Sequence, residues 1–423
     1  MPTDVRMRGF RERTSVVDVL RLLQQRIAPL STEVVSLRDA CGRHLSADII
    51  SEVSVPAFQR AAMDGYAIRA EESFGAGPYN PLELEVVGEV LPGRELDGEV
   101  QSGQAVRIMT GAPVPKGADS VVMAEHATES ESDGARRVAL TDSVTPGRHV
   151  GQVGEDIAEG TVVLTKGRRL RPQDLGVLAS IGCGEVVVHQ RPRVTVLITG
   201  DELLPCGAKP KGVQIVDSNS VMLSALITRD GAIASVPSIV KDGYDSVKTA
   251  LVESVKDADL VMISGGSSVG KEDDAPQILS ELGELPVHGV ALRPASPTGV
   301  GFVEGTPVLL MPGNPVSCLC AYDLFAGPIL RRLSGATEIP IPAPLGGEST
   351  IPGLTLPLAR KISSVVGRVD YVRAKIVDEK IEPLATSGAS ILSSTTRADG
   401  YVLIAAESEG CAPGDRVLFS FYS

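Results

Sequence analysis

The chain has 423 residues and a net charge of −13, so its length predicts about three domains with room for at least one large core. Charged residues make up 22% of the chain and aromatic residues 3%. The acidic balance and the scarcity of aromatics exclude a duplex-DNA binder, which needs a basic face, and a stacking platform for single-stranded nucleic acid.

The first predicted element is a helix from about Val16 to Ile27. Ser15 is a suitable N-cap, and Asp18 lies in the first turn, where the helix dipole favours a negative charge. Ahead of it, the N-terminal segment has no apolar core, so it is not expected to be a signal peptide.

From about residue 31 to 165, short strand-like runs alternate with turn clusters rich in Gly and Pro. This pattern predicts one or two β-rich modules. A helix is predicted from Pro172 to Ile181, since proline suits the first turn of a helix.

From Arg193 onward, buried-type strands alternate with helices, which predicts a doubly wound parallel sheet covered on both faces. The predicted strands are RVTVLIT, AIASV, DLVMIS and TPVLLM. The predicted helices are Ser220–Arg229, Tyr244–Val255, Ala275–Leu282 and Val316 to about Leu333. After a linker rich in Pro and Gly, a short β module is expected from about Leu354 to Ser423.

Neither cysteines nor histidines form a pattern that binds metal. The six cysteines include no C-x-x-C pair, and the five histidines are scattered. The longest apolar stretch, Val308–Leu330, is interrupted by Pro, Gly, Asn and Asp, so no membrane helix is expected. These features predict a protein of the reducing cytoplasm with no membrane or nucleic-acid partner.

Three loops follow predicted strands: TGDEL (199–203), GGSSVG (265–270) and PGNPVS (312–317). Ligands of open α/β sheets bind beyond the carboxyl ends of the strands, so these loops are expected to converge on one crevice. GGSSVG offers backbone amides and hydroxyls to an anion, although a plain strand-to-helix turn explains it as well. PGNPVS offers amides at a helix start, or simply a cap by Asn314.

Acidic residues lie beside this anion loop. Asp201 and Glu202 follow the first strand, Asp217 precedes a helix, and Glu272–Asp274 come directly after GGSSVG. Asp217 taken alone suits a helix cap, and Glu272–Asp274 suit a first helical turn. Carboxylates beside a phosphate cradle also suit a divalent cation between them, which is how Mg²⁺ is usually held. The interpretation is a metal-bridged phosphate or pyrophosphate site.

Seven motifs occur in order: AAMDGYAI, VRIMTGAPVPKGADSVVMAE, GEDI, TGDEL, IVDSN, SGGSSVG and PGNPVS. Together they resemble the molybdopterin molybdenumtransferase family, which includes the E domain of gephyrin, from about Thr14 to the end of the chain. The resemblance implies an α/β molybdopterin-binding domain with β-rich N-terminal modules and a small C-terminal β-barrel. It places these domains at 1–182 (with an inserted module at about 50–145), 191–335 and 345–423.

The resemblance also implies an activity: insertion of molybdate into adenylylated molybdopterin, with a divalent cation such as Mg²⁺ and release of AMP. It implies a homodimer. Contact with the protein that performs the adenylyltransferase step of the same pathway is a further expectation. The catalytic residues carried over by motif are Asp64, Thr110, Glu202, Asp217 and Asp273, of which the last three would hold the metal. The molybdopterin-binding residues are Gly265, Gly266, Ser268, Arg293, Ser296, Pro312, Asn314 and Ser317.

Asp64 and Thr110 would stand on the cleft wall given by the partner subunit, Asp64 positioning cation or water and Thr110 bonding an oxyanion. The chain departs from the family where K-P-G-K-P is usual and R-P-A-S-P stands here, with Arg293, Ala295 and Ser296 replacing Lys, Gly and Lys. Three arginines are candidates to restore the lost charge: Arg368, Arg373 and Arg397. The alternatives are a related protein of the same fold that is non-catalytic, one that prefers tungstate, and another enzyme of the wider superfamily.

Overall fold

The computed structural model describes residues 13–132, 134–265, 274–348, 353–385 and 388–422. The chain folds into two compact units. One contains the chain up to Ser46, Gly167–Arg171 and the chain from Val186 on, and the other contains Ala47–Lys166 and Pro172–Glu185. None of the helices in these described ranges is long and apolar enough to cross a membrane.

The first unit is built around a six-stranded sheet. Its strand order is Ile233–Ser235, Arg193–Ile198, Leu260–Ser264, Thr306–Met311, Gly299–Val303 and Glu284–His288. The first four strands are parallel, as predicted. The last two are antiparallel and were not predicted. They form an edge hairpin whose runs are interrupted by Pro or Gly, so their strand signal is weak.

Helices cover both faces of this sheet, which confirms the doubly wound arrangement. Alternate residues of a strand point to opposite faces: Val194 and Val196 join one apolar core, whereas Leu197 joins another. The helices of this unit that pack on or beside the sheet are Val16–Arg26, Asn219–Arg229, Tyr244–Ser254, Ala275–Leu282, Pro315–Ala321 and Gly327–Leu333.

The helix bounds agree with the predicted ones to within one residue, apart from one interruption. The predicted helix from Val316 to Leu333 is divided by a π-helical turn at Tyr322–Ala326. The cap predicted for the first helix is present, because the Ser15 hydroxyl accepts a hydrogen bond from the Asp18 amide at 3.1 Å.

The C-terminal module is a small closed sheet, as predicted. Its main strands are Gly353–Pro357, Val369–Val377, Lys380–Ala385, Gly400–Ile404 and Arg416–Phe421. A bridge between Leu358 and Ile381 joins the two ends of the sheet. The short strand Leu292–Arg293 of the α/β region pairs with Val369–Val377. The remaining elements of the first unit are the strands Thr32–Ser36, Glu185–His189, Leu203–Leu204, Ile215–Val216, Ile362–Ser363 and Gly410–Cys411, and the helix Ser393–Thr396.

The second unit is β-rich, as predicted. Its six-stranded sheet has the order Ser120–Met123, Gly65–Ile68, Gln104–Ile108, Leu82–Val90, Ala135–Leu140 and Ala127–Ser132. Separate apolar cores pack on the sheet. The unit also holds the helix Pro172–Ser180 and the strand pairs Ile49–Ile50 with Val162–Leu164 and Arg60–Ala61 with Val150–Gly151.

Candidate active site

The carboxyl ends of three parallel strands lie side by side. Ile198 pairs with Ser264, and Ser264 pairs with Met311, so the strands end in register. The Thr199 amide continues the ladder by donating to the Ser264 carbonyl at 3.0 Å. The loops that follow these strands therefore leave the sheet at one edge, as the sequence predicts.

These loops form a cleft of about 460 Å³, which is within the usual range for a small-molecule site. Functional groups from five chain segments line it, among them Thr199, Glu202, Asp217, Asp242, Gly265 and Asn314. The structure thus brings together four of the residues predicted for the site: Glu202, Asp217, Gly265 and Asn314. Gly266, Ser268 and Asp273 lie outside the described residues.

The position of Glu202 depends on Gly200. Gly200 has a φ of +149°, and a Cβ atom there would lie 2.8 Å from Glu202 Oε2 and 2.9 Å from Leu203 Cδ1. A side chain at position 200 would displace the Glu202 carboxylate, so the glycine allows this carboxylate to fold back over the loop.

Asp242 is a cleft residue that sequence reasoning missed. Its Oδ2 accepts a hydrogen bond from the Asp201 amide at 3.0 Å, and Asp201 Oδ1 accepts one from the Asp242 amide at 3.3 Å. This reciprocal pair joins the TGDEL loop to the segment before the helix Tyr244–Ser254. The signal was available, since this segment also leads from a parallel strand into a helix.

Asp217 and Asn219 hold the start of the helix Asn219–Arg229 against the cleft. Asp217 Oδ1 accepts from the Ser220 amide at 3.1 Å, so the capping role that the sequence favoured is present. The Asn219 amide group donates to Ser264 Oγ at 2.9 Å and to the Gly313 carbonyl at 2.8 Å. Asn219 therefore joins three of the site's segments, although it was not among the predicted site residues.

The anion loop begins with Gly265, which no other residue could replace without a shift of the neighbouring backbone. Gly265 has a φ of +106°, and a Cβ atom there would lie 2.3 Å from the Thr199 carbonyl oxygen. Gly313 lies next to it, and a Cβ atom on Gly313 would stand 3.7 Å from the Gly265 Cα, an ordinary contact.

We therefore expect Gly265→Ala to lower the free energy of unfolding by about 2 kcal/mol, through strain at a left-handed position and a backbone clash. Urea unfolding measures this loss. The matched control is Gly313→Ala, which we expect to change stability by less than about 1 kcal/mol. Equal losses in both variants would show that the clash at Gly265 is relieved without cost.

A second cavity, of about 340 Å³, adjoins the cleft and shares Gly313 and Asn314 with it. It contains the other described residues of the predicted binding set: Arg293, Ser296, Pro312 and Ser317. Of the three arginines that are candidates to restore a charge, Arg368 lines this cavity. Arg373 is fully buried, and the Arg397 Nε donates to the Ser393 carbonyl at 3.2 Å.

Arg293 does not offer a free charge to this cavity, contrary to the expectation that it would compensate the acids. Its guanidinium is paired with both oxygens of Asp370, with Nε 2.6 Å from Oδ1. Asp370 is fully buried and also accepts from the Ser364 hydroxyl at 2.7 Å. A buried carboxylate needs such a partner, so the Arg293 charge is used inside the protein.

Arg293→Gln should therefore lower the free energy of unfolding by about 3 kcal/mol, because it leaves the buried Asp370 charge without its ionic partner. Chemical denaturation provides the measurement. Arg360→Gln, which breaks the more exposed pair with Glu382, is the control, with an expected loss below about 1 kcal/mol. A loss at position 293 no larger than that at position 360 would contradict this role.

The PGNPVS loop also differs in detail from the prediction. Asn314 stands at the N-cap position, but its Oδ1 accepts from the Ser390 hydroxyl at 2.9 Å instead of capping the helix. The Val316 amide donates to the Ala389 carbonyl at 3.0 Å. This amide, predicted to face an anion, already has a protein partner because the C-terminal module supplies one.

Ala295 has a φ of +97°, a conformation that favours the glycine usual in the resembled family. Burial raises the pKa of the Cys318 thiol to about 12, and it raises the pKa of Cys320 as well. All six cysteines are free, and these two buried ones are protonated at neutral pH, so neither is a nucleophile.

The described acids do not form a preassembled metal cage. In the parts of the chain that the structure describes, no three His, Cys, Asp or Glu side chains converge on one metal position. Glu202 and Asp217 nevertheless line the same cleft. Since Mg²⁺ is commonly held by one or two carboxylates together with substrate phosphates, these donors fit a cation that binds with its substrate.

Asp64 and Thr110 lie together in the second unit. Asp64 Oδ1 accepts from both the amide and the hydroxyl of Thr110, each at 2.7 Å. Both bonds lower the pKa of Asp64, the bond from the amide more than the bond from the hydroxyl, and they keep the carboxylate ionised. The Thr110 hydroxyl proton is committed to Asp64, so Thr110 orients this exposed carboxylate in the present structure.

Comparison with known proteins gives consistent matches over most of the chain. Residues 14–182 match the MoeA N-terminal region (domain I and II), residues 195–332 a probable molybdopterin binding domain, and residues 355–422 the MoeA C-terminal region (domain IV). A putative molybdopterin biosynthesis protein of Methanocaldococcus jannaschii is 35% identical over 90% of both chains.

Two further proteins are similar to this chain over nearly their whole length. A molybdopterin molybdenumtransferase of Haemophilus influenzae is 30% identical over 94% of this chain and 95% of its own. The crystal structure of a molybdopterin biosynthesis moeA protein from Pyrococcus horikoshii has a TM-score of 0.82 and 32% identity, covering 97% of this chain and 100% of its own.

Proposed function

The chain belongs to the MoeA family of molybdopterin molybdenumtransferases, and on that premise we propose that the cleft and the adjoining cavity together form its active site. The protein is an enzyme of molybdenum cofactor biosynthesis. The observation that carries the site proposal is the pair of adjoining pockets, one lined by carboxylates and the other by arginines, which share Gly313 and Asn314.

The proposed reaction uses adenylylated molybdopterin and molybdate. Water cleaves the pyrophosphate link of the first and AMP leaves. The two dithiolene thiols then form bonds to the molybdenum, and their protons leave as water together with one oxygen of the molybdate. Such a substrate carries phosphates at one end and must meet an oxyanion at the other. An acidic cleft that recruits a cation, next to a cavity with positive charge, provides both environments.

In the cleft, Glu202 and Asp217 are the described side chains that would hold a divalent cation such as Mg²⁺. Asp273, which lies outside the described residues, is proposed as a third ligand. When bound, the cation would neutralise charge on the phosphates of the substrate. Gly265 allows the backbone to approach these phosphates closely, and Gly266 and Ser268 are proposed to extend the cradle. Asn219 positions this wall, because it connects Ser264 with Gly313.

The second cavity is proposed to receive the oxyanion. Its hydroxyl groups come from Ser296 and Ser317, and Arg368 is its half-buried cation. No described residue pairs with the Arg368 guanidinium, whereas Arg293 acts mainly through the Asp370 pair. Arg293 therefore fixes the backbone of the R-P-A-S-P segment, and Arg368 supplies charge to the ligand.

Asp64 and Thr110 are proposed to act from the partner subunit of a homodimer, Asp64 as a carboxylate oriented by Thr110. This proposal rests on the family resemblance and on the ionised, exposed state of Asp64. We further propose that the enzyme works in the cytoplasm, and that it receives its substrate by contact with the protein of the adenylyltransferase step.

One assay tests the reaction. The purified full chain is mixed with adenylylated molybdopterin and Mg²⁺, with molybdate, tungstate or neither, and AMP release is followed. We expect release that depends on molybdate and on the cation. Substrate binding without AMP release would identify a non-catalytic protein, and release that depends on tungstate alone would identify the other alternative.

A further inference from the structure

The oxyanion cavity is short of positive charge. Arg293 is paired with the buried Asp370, and Ser296 stands where the resembled family has a second lysine. Of the cavity-lining residues, Arg368 alone adds a cation without a described carboxylate partner. A dianion such as molybdate is attracted more strongly when a second positive charge lies near it, and Ser296 marks a place in the lining where such a charge would act.

Arg13 occupies this position. Its Nε donates a hydrogen bond to Ser296 Oγ at 2.8 Å, although the two residues are 283 positions apart in the chain. The contact is anchored by the backbone of the next residue. The Thr14 amide donates to the Gly289 carbonyl at 3.0 Å, and the Ala291 amide donates to the Thr14 carbonyl at 2.8 Å. These two bonds hold the segment beside the R-P-A-S-P loop.

The geometry leaves both partners able to bind a ligand. Arg13 is exposed, and no described residue accepts a hydrogen bond from its terminal Nη groups. Ser296 accepts from Arg13, so its hydroxyl proton remains available for another acceptor. An oxyanion in the cavity accepts from a hydroxyl and is attracted by a neighbouring guanidinium, which always remains charged.

We propose that Arg13, acting with Ser296, takes the place of the missing lysine and determines the affinity of the cavity for its oxyanion. This inference rests on the proposed function, because it concerns the same cavity. It adds to the binding site a residue that lies outside the seven motifs of the resembled family, three positions before the first helix.

Binding of molybdate to the purified full chain, measured by calorimetry, tests the proposal. We expect Arg13→Gln to raise the Kd for molybdate about tenfold, since it removes an exposed charge from beside a dianion. Arg13→Lys keeps the charge and should remain within about threefold of the unchanged protein. The control is Arg21→Gln, an equal change of net charge at an exposed helix position paired with Asp18, which should leave Kd unchanged.

Two further measurements separate charge at the cavity from general effects. The difference between Arg13→Gln and the unchanged protein should shrink as the salt concentration rises, because exposed charges are screened. Ser296→Lys, introduced into the Arg13→Gln variant, should restore tight binding by returning a cation to the same place.

The outcomes distinguish this inference from the proposed function. If the unchanged protein binds molybdate and Arg13→Gln binds it equally well, the role of Arg13 is wrong and the proposed function stands. If the unchanged protein neither binds molybdate nor releases AMP in its presence, the proposed function fails, and the inference fails with it.

Discussion

Glu202→Gln should lower kcat for AMP release by about 100- to 1,000-fold, the loss typical of removing one electrostatic contact to a reacting centre. The change keeps the size of the side chain but removes the negative charge that would hold the cation in the cleft. Because Glu202 is exposed, the free energy of unfolding should change by less than about 0.5 kcal/mol. AMP release and urea unfolding, measured on the same preparation, check both parts.

The dependence on Mg²⁺ distinguishes a cation-binding role of Glu202 from a structural one. Glu202→Gln should also need a higher Mg²⁺ concentration for half-maximal activity, whereas a merely structural role would leave that concentration unchanged. Glu253→Gln is the matched control, since Glu253 is an exposed glutamate on the helix Tyr244–Ser254. Normal turnover by Glu202→Gln would remove this residue from the proposed mechanism.

Asp64→Asn and Glu202→Gln should complement each other when they are combined in one dimer. Each variant alone is expected to lose about 100-fold or more of its activity. If Asp64 serves the active site of the other subunit, a mixed dimer has one site with both native carboxylates and one with neither. Its activity should therefore recover to about half that of the unchanged dimer, in the absence of coupling between sites.

The mixed dimer is obtained by co-expression with two different affinity tags and successive purification on both. The matched control is a mixed dimer of Glu202→Gln with Asp217→Asn, two residues of one described cleft, in which every site carries one defect. This control should remain inactive. Absence of activity in the Asp64 and Glu202 mixture would contradict action across subunits, and failure to isolate any mixed dimer would contradict the homodimer itself.

The two adjoining pockets place the carboxylates and the arginines of the proposed site on different sides of Gly313 and Asn314. Gly265 begins the loop in a cleft whose carboxylates come from Glu202, Asp217 and Asp242. The arginines lie beyond Gly313 and Asn314, in the neighbouring cavity. If both pockets serve one ligand, as proposed, these opposite charges are kept apart, so they do not pair with one another and neutralise the site.

Much of the site region was predictable because its signals are local. Alternation of apolar strands and amphipathic helices indicated the doubly wound sheet, and the carboxyl-end rule placed TGDEL, the loop after Ser264 and PGNPVS at one edge. The edge hairpin Glu284–His288 and Gly299–Val303 was missed, since its runs are short and contain Pro or Gly. Asp242 was missed because its loop carries no recognisable motif.

The order of motifs, the strand ends and the caps formed by Ser15 and Asp217 can be derived from the amino-acid sequence, because each depends on residues a few positions apart. The partners of the charged side chains cannot be derived in this way. Arg293 pairs with Asp370, which lies 77 residues later in the chain, and Arg13 donates a hydrogen bond to Ser296, 283 residues later. Which arginine serves a ligand and which serves a buried carboxylate depends on burial and on distant neighbours. Only the folded chain brings those neighbours together, so the tertiary structure decides where the positive charge of this site comes from.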